Sequence, residues 1–236
     1  MYKVAKLALT DFKIIFRDSS LKSFLFLPVI LFVLIIWVVP NLVEKYDFLL
    51  PYLPLFLVVA VIENTQMFCF ISSMVLIDEK ETDVAKIYGV VPLSNVQFIV
   101  SRFLLPYFFT VGLNIVLFLV QPFYALDIGT VLIISFLAAL VVPAYVLGIN
   151  AIVENRLQGM VYIKAFNMLV LVPVAAFFVP DNIKHLFGIF PTHWIFQSVV
   201  AATQGLSIAW FSTIGFLFFT ALIWGVSKLF IRVHFV

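Results

Sequence analysis

Residues 24–43 read FLFLPVILFVLIIWVVPNLV, from Phe24 to Val43. The stretch carries no charge, and its one amide is Asn41. A helix of about 20 apolar residues, rising about 1.5 Å per residue, crosses the hydrocarbon core of a bilayer. The rest of the 236-residue chain offers no polar coat for it: 64% of residues are hydrophobic and 11% are charged. Mean hydropathy is +1.20. Soluble domains carry about 25% charge and 45–50% apolar residues. The excess apolar surface must face lipid, which excludes a cytosolic enzyme, a nucleic-acid reader and a secreted disulfide scaffold. The lone cysteine, Cys69, rules out an internal disulfide or a cysteine-rich metal site.

Five further apolar runs follow, at about Leu49–Ile77, Phe98–Phe123, Ile128–Val153, Ala165–Val179 and Ile208–Ile231. They are continuous rather than alternating, so they read as helices and not as barrel strands. The expected fold class is an all-α membrane protein of six spans in one transmembrane domain over residues 1–236. Five cations precede Phe24 and no small-residue cleavage site follows the first run, so that run is expected to stay as a span.

With six spans both termini share a side. That side holds Lys3, Lys6, Lys13, Arg17, Lys22, Lys80, Lys86, Arg102, Arg156, Lys164, Lys228 and Arg232, while only Lys45 and Lys184 fall opposite. This asymmetry puts both termini in the cytoplasm. At about 100° per residue, Lys3, Lys6, Lys13 and Arg17 share one face, and Ala5, Ala8, Phe12, Ile15 and Phe16 the other. Residues 1–22 therefore read as an amphipathic helix lying in the membrane plane. The connection Pro180–Ser207 is external. It holds Pro191, Trp194 and Phe196 but only Asp181 and Lys184 as formal charges, a composition suited to short re-entrant helices.

Catalytic signatures are missing: there is no phosphate-binding glycine loop, no H-E-x-x-H and no nucleophile elbow. His185, His193 and His234 lack ligand spacing. No cofactor and no catalytic residue is expected in this chain, and no nucleic-acid partner.

Two segments carry functional candidates. The first is cytoplasmic, Asp78-Glu79-Lys80-Glu81-Thr82-Asp83 and onward to Ser94. Val84, Ile87, Tyr88 and Val91 recur at i, i+3, i+4 and i+7, one apolar helical stripe that Pro92 ends. Ser94 and Gln97 form a capping-box pattern opening the third span. This short helix either docks a cytoplasmic partner or lies on the lipid surface. The second segment is Glu63-Asn64-Thr65-Gln66, in the middle of the second span. An intramembrane carboxylate is a functional candidate by default. Glu63, Asn64 and Gln66 either line a substrate path or make structural hydrogen bonds. Asn114, Gln121, Asn150 and Asn167 read as interhelical glue. Glu154 and Arg156, ending the fourth span, are either a second cytoplasmic contact or a solvated helix end.

The run from Asp78 to Asp83, followed by Ile87-Tyr88-Gly89-Val90-Val91-Pro92-Leu93-Ser94, resembles the loop after the second span of ABC-2-type transporter permeases. Those open on an acidic E-x-E-x-G/T pattern and continue to a P-[LIV]-S element. Asn155–Gly159, Lys164-Ala165-Phe166-Asn167, Pro173, Pro180 and Pro191-Thr192-His193-Trp194 resemble more narrowly the drug-export permeases associated with fluoroquinolones. The resemblance covers the whole chain. It implies the membrane half of an exporter in a prokaryotic plasma membrane: two permease chains, identical or related, with separate ABC ATPase subunits that bind ATP and magnesium. It also implies that Val84–Val91 is the coupling helix, with Glu79 and Glu81 at its entrance, Gly89 and Pro92 among the coupling residues, and Arg102 at the base of the next span. Thr82-Asp83 stands where many members carry Gly-Thr, which unsettles the register. An amphiphilic small molecule is the expected substrate. The rival expectation is an ion-coupled secondary transporter or channel with Glu63 as the ion site.

Overall fold

The computed structural model describes residues 19–82 and 94–234. The in-plane helix expected over residues 1–22 falls almost entirely outside them, and the Val84–Val91 helix wholly so. Every element among the described residues is helical. Six helical stretches are long and apolar enough to cross a membrane.

The first span runs from Leu21 to Lys45. It comprises α1 (Ser19–Phe24), α2 (Leu27–Val33), a π-helical turn (Leu34–Val38) and α3 (Val39–Lys45). Pro40, in the first turn of α3, explains the π turn. Its ring would strike the carbonyl four residues back, and a widened turn relieves that clash. Val39 accordingly donates its N–H to the Leu34 carbonyl, five residues back.

The second span begins with a 3-10 turn (Asp47–Tyr52) and continues as α4 (Leu53–Glu81). The 29 residues of α4 extend about 44 Å, more than a hydrocarbon core of about 30 Å, so its charged end can clear the membrane. This span is the hub. In its most apolar window 72% of residues are buried, against 17% in the first, fifth and sixth spans.

The third span is α5 (Asn95–Val120). Its start shows the predicted capping box. The Gln97 N–H donates to Ser94 Oγ at 3.3 Å and the Ser94 N–H donates to Gln97 Oε1 at 3.1 Å. The fourth span is α6 (Ile128–Ala139) and α7 (Val141–Ile152). The Asp127 carboxylate caps it by accepting from the N–H groups of Gly129 and Thr130. Its mid-span break at Leu140 lies beside Pro143, which has no N–H to continue the ladder.

The fifth span is α8 (Arg156–Leu171), continued by a 3-10 turn (Val172–Phe177). It starts at Arg156, well before the apolar run near Ala165. Arg156, Gln158 and Lys164 make the first turns look like a loop by hydropathy, but Asn155 caps the helix by accepting from the Gln158 N–H at 3.0 Å. The connection between the fifth and sixth spans is helical: α9 (Asp181–Lys184), a 3-10 turn (His185–Ile189) and α10 (Pro191–Thr203). Ile195, Phe196 and Val199 bury α10, and Gly215 on the sixth span, α11 (Ala209–His234), lets Trp194 approach. A Cβ at Gly215 would sit 3.1 Å from that of Trp194. Gly205, with φ +69°, closes α10, and the Leu206 N–H returns to the Ala201 carbonyl at 2.8 Å.

Candidate functional site: a charged node and a polar mid-span cluster

Residues 78–81 end α4 with Asp78, Glu79, Lys80 and Glu81, and the helix turns these side chains toward different neighbours. Glu79 faces α5, where Arg102 Nη2 lies 2.8 Å from its Oε2. The two side chains keep only 9% and 3% of their surface exposed. The Arg102 guanidinium also lies over the Phe98 ring, 4.9 Å from its centroid. A buried pair of this kind contributes little net stability but is costly to break from one side.

Asp78, Lys80 and Glu81 face the start of α8. Arg156 Nη1 lies 3.6 Å from Asp78 Oδ1. The Arg156 N–H donates to Glu81 Oε2 at 3.2 Å. Glu81 thus supplies a carboxylate to the first turn of α8, where free N–H groups and the helix dipole favour negative charge. Lys80 Nζ donates to the Val153 carbonyl at 2.7 Å, satisfying an acceptor at the end of α7. One helical turn therefore ties the third, fourth and fifth spans to the hub. The node stands where α4 ends and α5 begins, on either side of residues 83–93.

Farther along, Gly159 lets α8 lie against α4. A Cβ there would meet Ile77 Cδ1 at 2.6 Å. Of the coupling residues expected from the sequence, Glu79, Glu81 and Arg102 are seen, and Glu79 and Arg102 are paired. Val84, Ile87, Tyr88, Gly89, Val91 and Pro92 lie outside the described residues. Glu154 is exposed, and its N–H donates to Gln158 Oε1 at 3.1 Å. Arg156 is turned inward onto the hub.

The mid-span cluster is partly resolved into structural bonds. Asn64 Nδ2 donates to Asn114 Oδ1 at 2.9 Å, and Asn114 Nδ2 donates to Thr65 Oγ1 at 3.1 Å. Gln66 Nε2 donates to the Asn167 carbonyl at 3.4 Å. Asn64 and Gln66 therefore hold the second span to the third and fifth. Glu63 differs. It is half-buried, and among the described residues no Lys or Arg pairs with it. It falls on the one partly exposed stripe of α4, with Phe56, Val59 and Phe70.

Of the four amides expected to bridge helices, Asn114 and Asn167 do. Gln121 instead closes the turn after α5, accepting from the N–H groups of Phe123 and Tyr124. Asn150 returns its amide to the Val146 carbonyl of its own helix. Sequence reading missed Tyr145, whose hydroxyl reaches the Ile163 carbonyl at 2.9 Å and also Asn167 Oδ1. Its only signal was a phenol in a half-span whose one other polar side chain is Asn150. Among the described residues no His, Cys, Asp and Glu group could hold a metal ion.

A family model described as fluoroquinolones export permease protein Rv2686c-like matches residues 11–227. The chain belongs to this family. No curated protein and no solved structure matches it. As a member of the Rv2686c-like export permeases it has a transport role in a membrane, which agrees with its six apolar helices. The node joins α4 to α5, α7 and α8 at one end of the bundle, and among the described residues Glu63 is the charged side chain in the middle of α4, on its partly exposed stripe.

Proposed function

We propose that this chain is the membrane half of an ATP-driven exporter of amphiphilic drugs, fluoroquinolones among them. Two permease chains would work with two separate ABC ATPase subunits, which bind ATP and magnesium, and both termini would lie in the cytoplasm. The observation that carries the reading is the node. The connection between α4 and α5, residues 83–93, is anchored on both sides by the buried Glu79–Arg102 pair. A partner that pushed on the apolar stripe Val84, Ile87, Tyr88 and Val91 would move rigid joints rather than loose ends. Through Asp78, Lys80 and Glu81 the same push would reach α7 and α8. The stripe of α4 with Glu63 at its centre is the wall along which a cationic amphiphile would pass. The buried helix α10, seated beside Gly215, is the part of the external connection that enters the outer leaflet.

The test is a pull-down from gently solubilised membranes, comparing the wild type with a Tyr88→Ala/Val91→Asp variant. A P-loop ATPase recovered in equal amounts with the wild type, and lost with the variant while the permease still reaches the membrane, supports the reading. Normal export by the variant removes the coupling assignment. A second reading rests on Glu63, a half-buried carboxylate without a described cation partner. It makes the chain an ion-coupled carrier. Recovery of the chain alone, with export that follows an ion gradient and fails in Glu63→Gln, would favour it.

A further inference from the structure

Between α7, α8 and α11 lies a pocket of about 340 Å³. All three helices belong to membrane spans, so the pocket sits at membrane depth. Ala144 and Gly148 on α7 form its floor, and Phe166 and Phe219 stand among its walls. Gly148 keeps the floor low: a Cβ there would find only Val226 Cγ1, at 3.9 Å.

Its lining carries no charged side chain, and its two polar side chains are spoken for. Thr192 Oγ1 donates to the Val170 carbonyl at 2.9 Å, and the Tyr145 hydroxyl is engaged by Ile163 and Asn167. Nothing remains to solvate a carboxylate, an amine or a phosphate. Water is disfavoured for the same reason, since it needs two to four polar partners. A drug with an ionised head could not bury that head here.

The pocket also opens sideways. Ile152, Leu169 and Leu229 belong to its lining and are 48%, 47% and 46% exposed, so the pocket is continuous with the lipid-facing surface. An empty apolar void forfeits dispersion contacts on all its walls, and bilayer chains are the apolar matter in contact with its mouth.

We infer that this pocket holds one acyl chain of a membrane phospholipid, inserted from the bilayer between the fifth and sixth spans with its headgroup left outside. The site is separate from Glu63 and from the charged node, and it does not depend on the exporter reading.

The test uses the full chain, with the partners that co-purify, in nanodiscs containing a phosphatidylcholine with a diazirine near the end of one acyl chain. Illumination followed by peptide mapping reads the contact residues. Phe219 is only 1% exposed, so a label on it requires a chain inside the pocket. The expected result is labelling of Phe219 and of the Ala144–Gly148 floor. In Gly148→Leu, which fills the floor, that labelling should fall to background while exposed Trp210 stays labelled. Labelling of Trp210 with none at Phe219 in the wild type would overturn the inference, whether or not the variant folds. Loss of the Phe219 label on adding a fluoroquinolone would also overturn it, by giving the pocket to the substrate. So would a cross-link placing a second copy of the chain in the pocket.

Discussion

Arg102 carries its guanidinium to 2.8 Å from the Glu79 carboxylate, joining α5 to α4 across the two ends of residues 83–93. Both side chains are almost wholly buried, so neither can recover its hydration if the other is removed. Arg102→Ala is expected to cost about 3–5 kcal/mol of stability. Glu79→Gln combined with Arg102→Met should recover much of that loss, because the carboxylate that Arg102→Ala strands is neutralised with it. Thermal denaturation of the purified chain in detergent checks this. A double variant as unstable as Arg102→Ala would show that the two residues are not energetically coupled. The pair should also resist added salt, which screens buried charges poorly.

Asn114 is the partner of both Asn64 and Thr65. Interhelical bonds in membranes are worth about 0.6 kcal/mol on average and up to about 1.7. Asn114→Leu, which keeps the branching at Cγ and removes both hydrogen-bonding groups, should therefore destabilise the chain by about 1–2 kcal/mol and leave export near normal. Abolished export by a stably folded Asn114→Leu would place Asn114 in the transport path instead.

The contact of Gly159 with Ile77 Cδ1 gives a coupled prediction. Gly159→Ala strikes the tip of a flexible side chain, which must leave its rotamer at a cost of about 0.5–1.5 kcal/mol. Ile77→Val removes the atom that is struck. In that background Gly159→Ala should be neutral or mildly stabilising, since Ala favours helix over Gly by about 1 kcal/mol. The double-mutant cycle of melting temperatures measures the coupling, and additive effects would disprove the close contact.

Glu63 is the test of the transport path. If it guides a cation, Glu63→Gln should slow export of a cationic dye by roughly tenfold, the equivalent of about 1.4 kcal/mol. Export of a neutral amphiphile should hardly change. Equal loss for both dyes would mean that Glu63 has a structural role.

Local signals were legible in the sequence and long-range ones were not. The Ser94–Gln97 capping box spans three residues and follows from the side chains alone. Six spans follow from hydropathy because lipid imposes one rule on every exposed side chain. The start of α8 at Arg156 was hidden for the same reason, since hydropathy scores a charged first turn as loop while Glu81 and Asn155 cap it. Glu79 and Arg102 were singled out separately. Their pairing needs two helices to meet, as do the Gly159–Ile77 approach and the Tyr145–Asn167 bond. Glu63-Asn64-Thr65-Gln66 looked like one unit in sequence, but successive helical positions point about 100° apart, so three residues bond neighbouring elements or their own helix and Glu63 faces the open stripe.

The hub has a consequence for biosynthesis. Asn64 bonds a residue made 50 positions later, and Gln66 one made 101 positions later. Ribosomes add about 5–20 residues per second, so Asn64 waits roughly 3–10 s for its partner and Gln66 roughly 5–20 s. During that interval α4 sits in or beside the insertion machinery with unsatisfied amides in an apolar setting. The second span is therefore the step at which newborn chains would be held by an insertase or lost to a membrane protease.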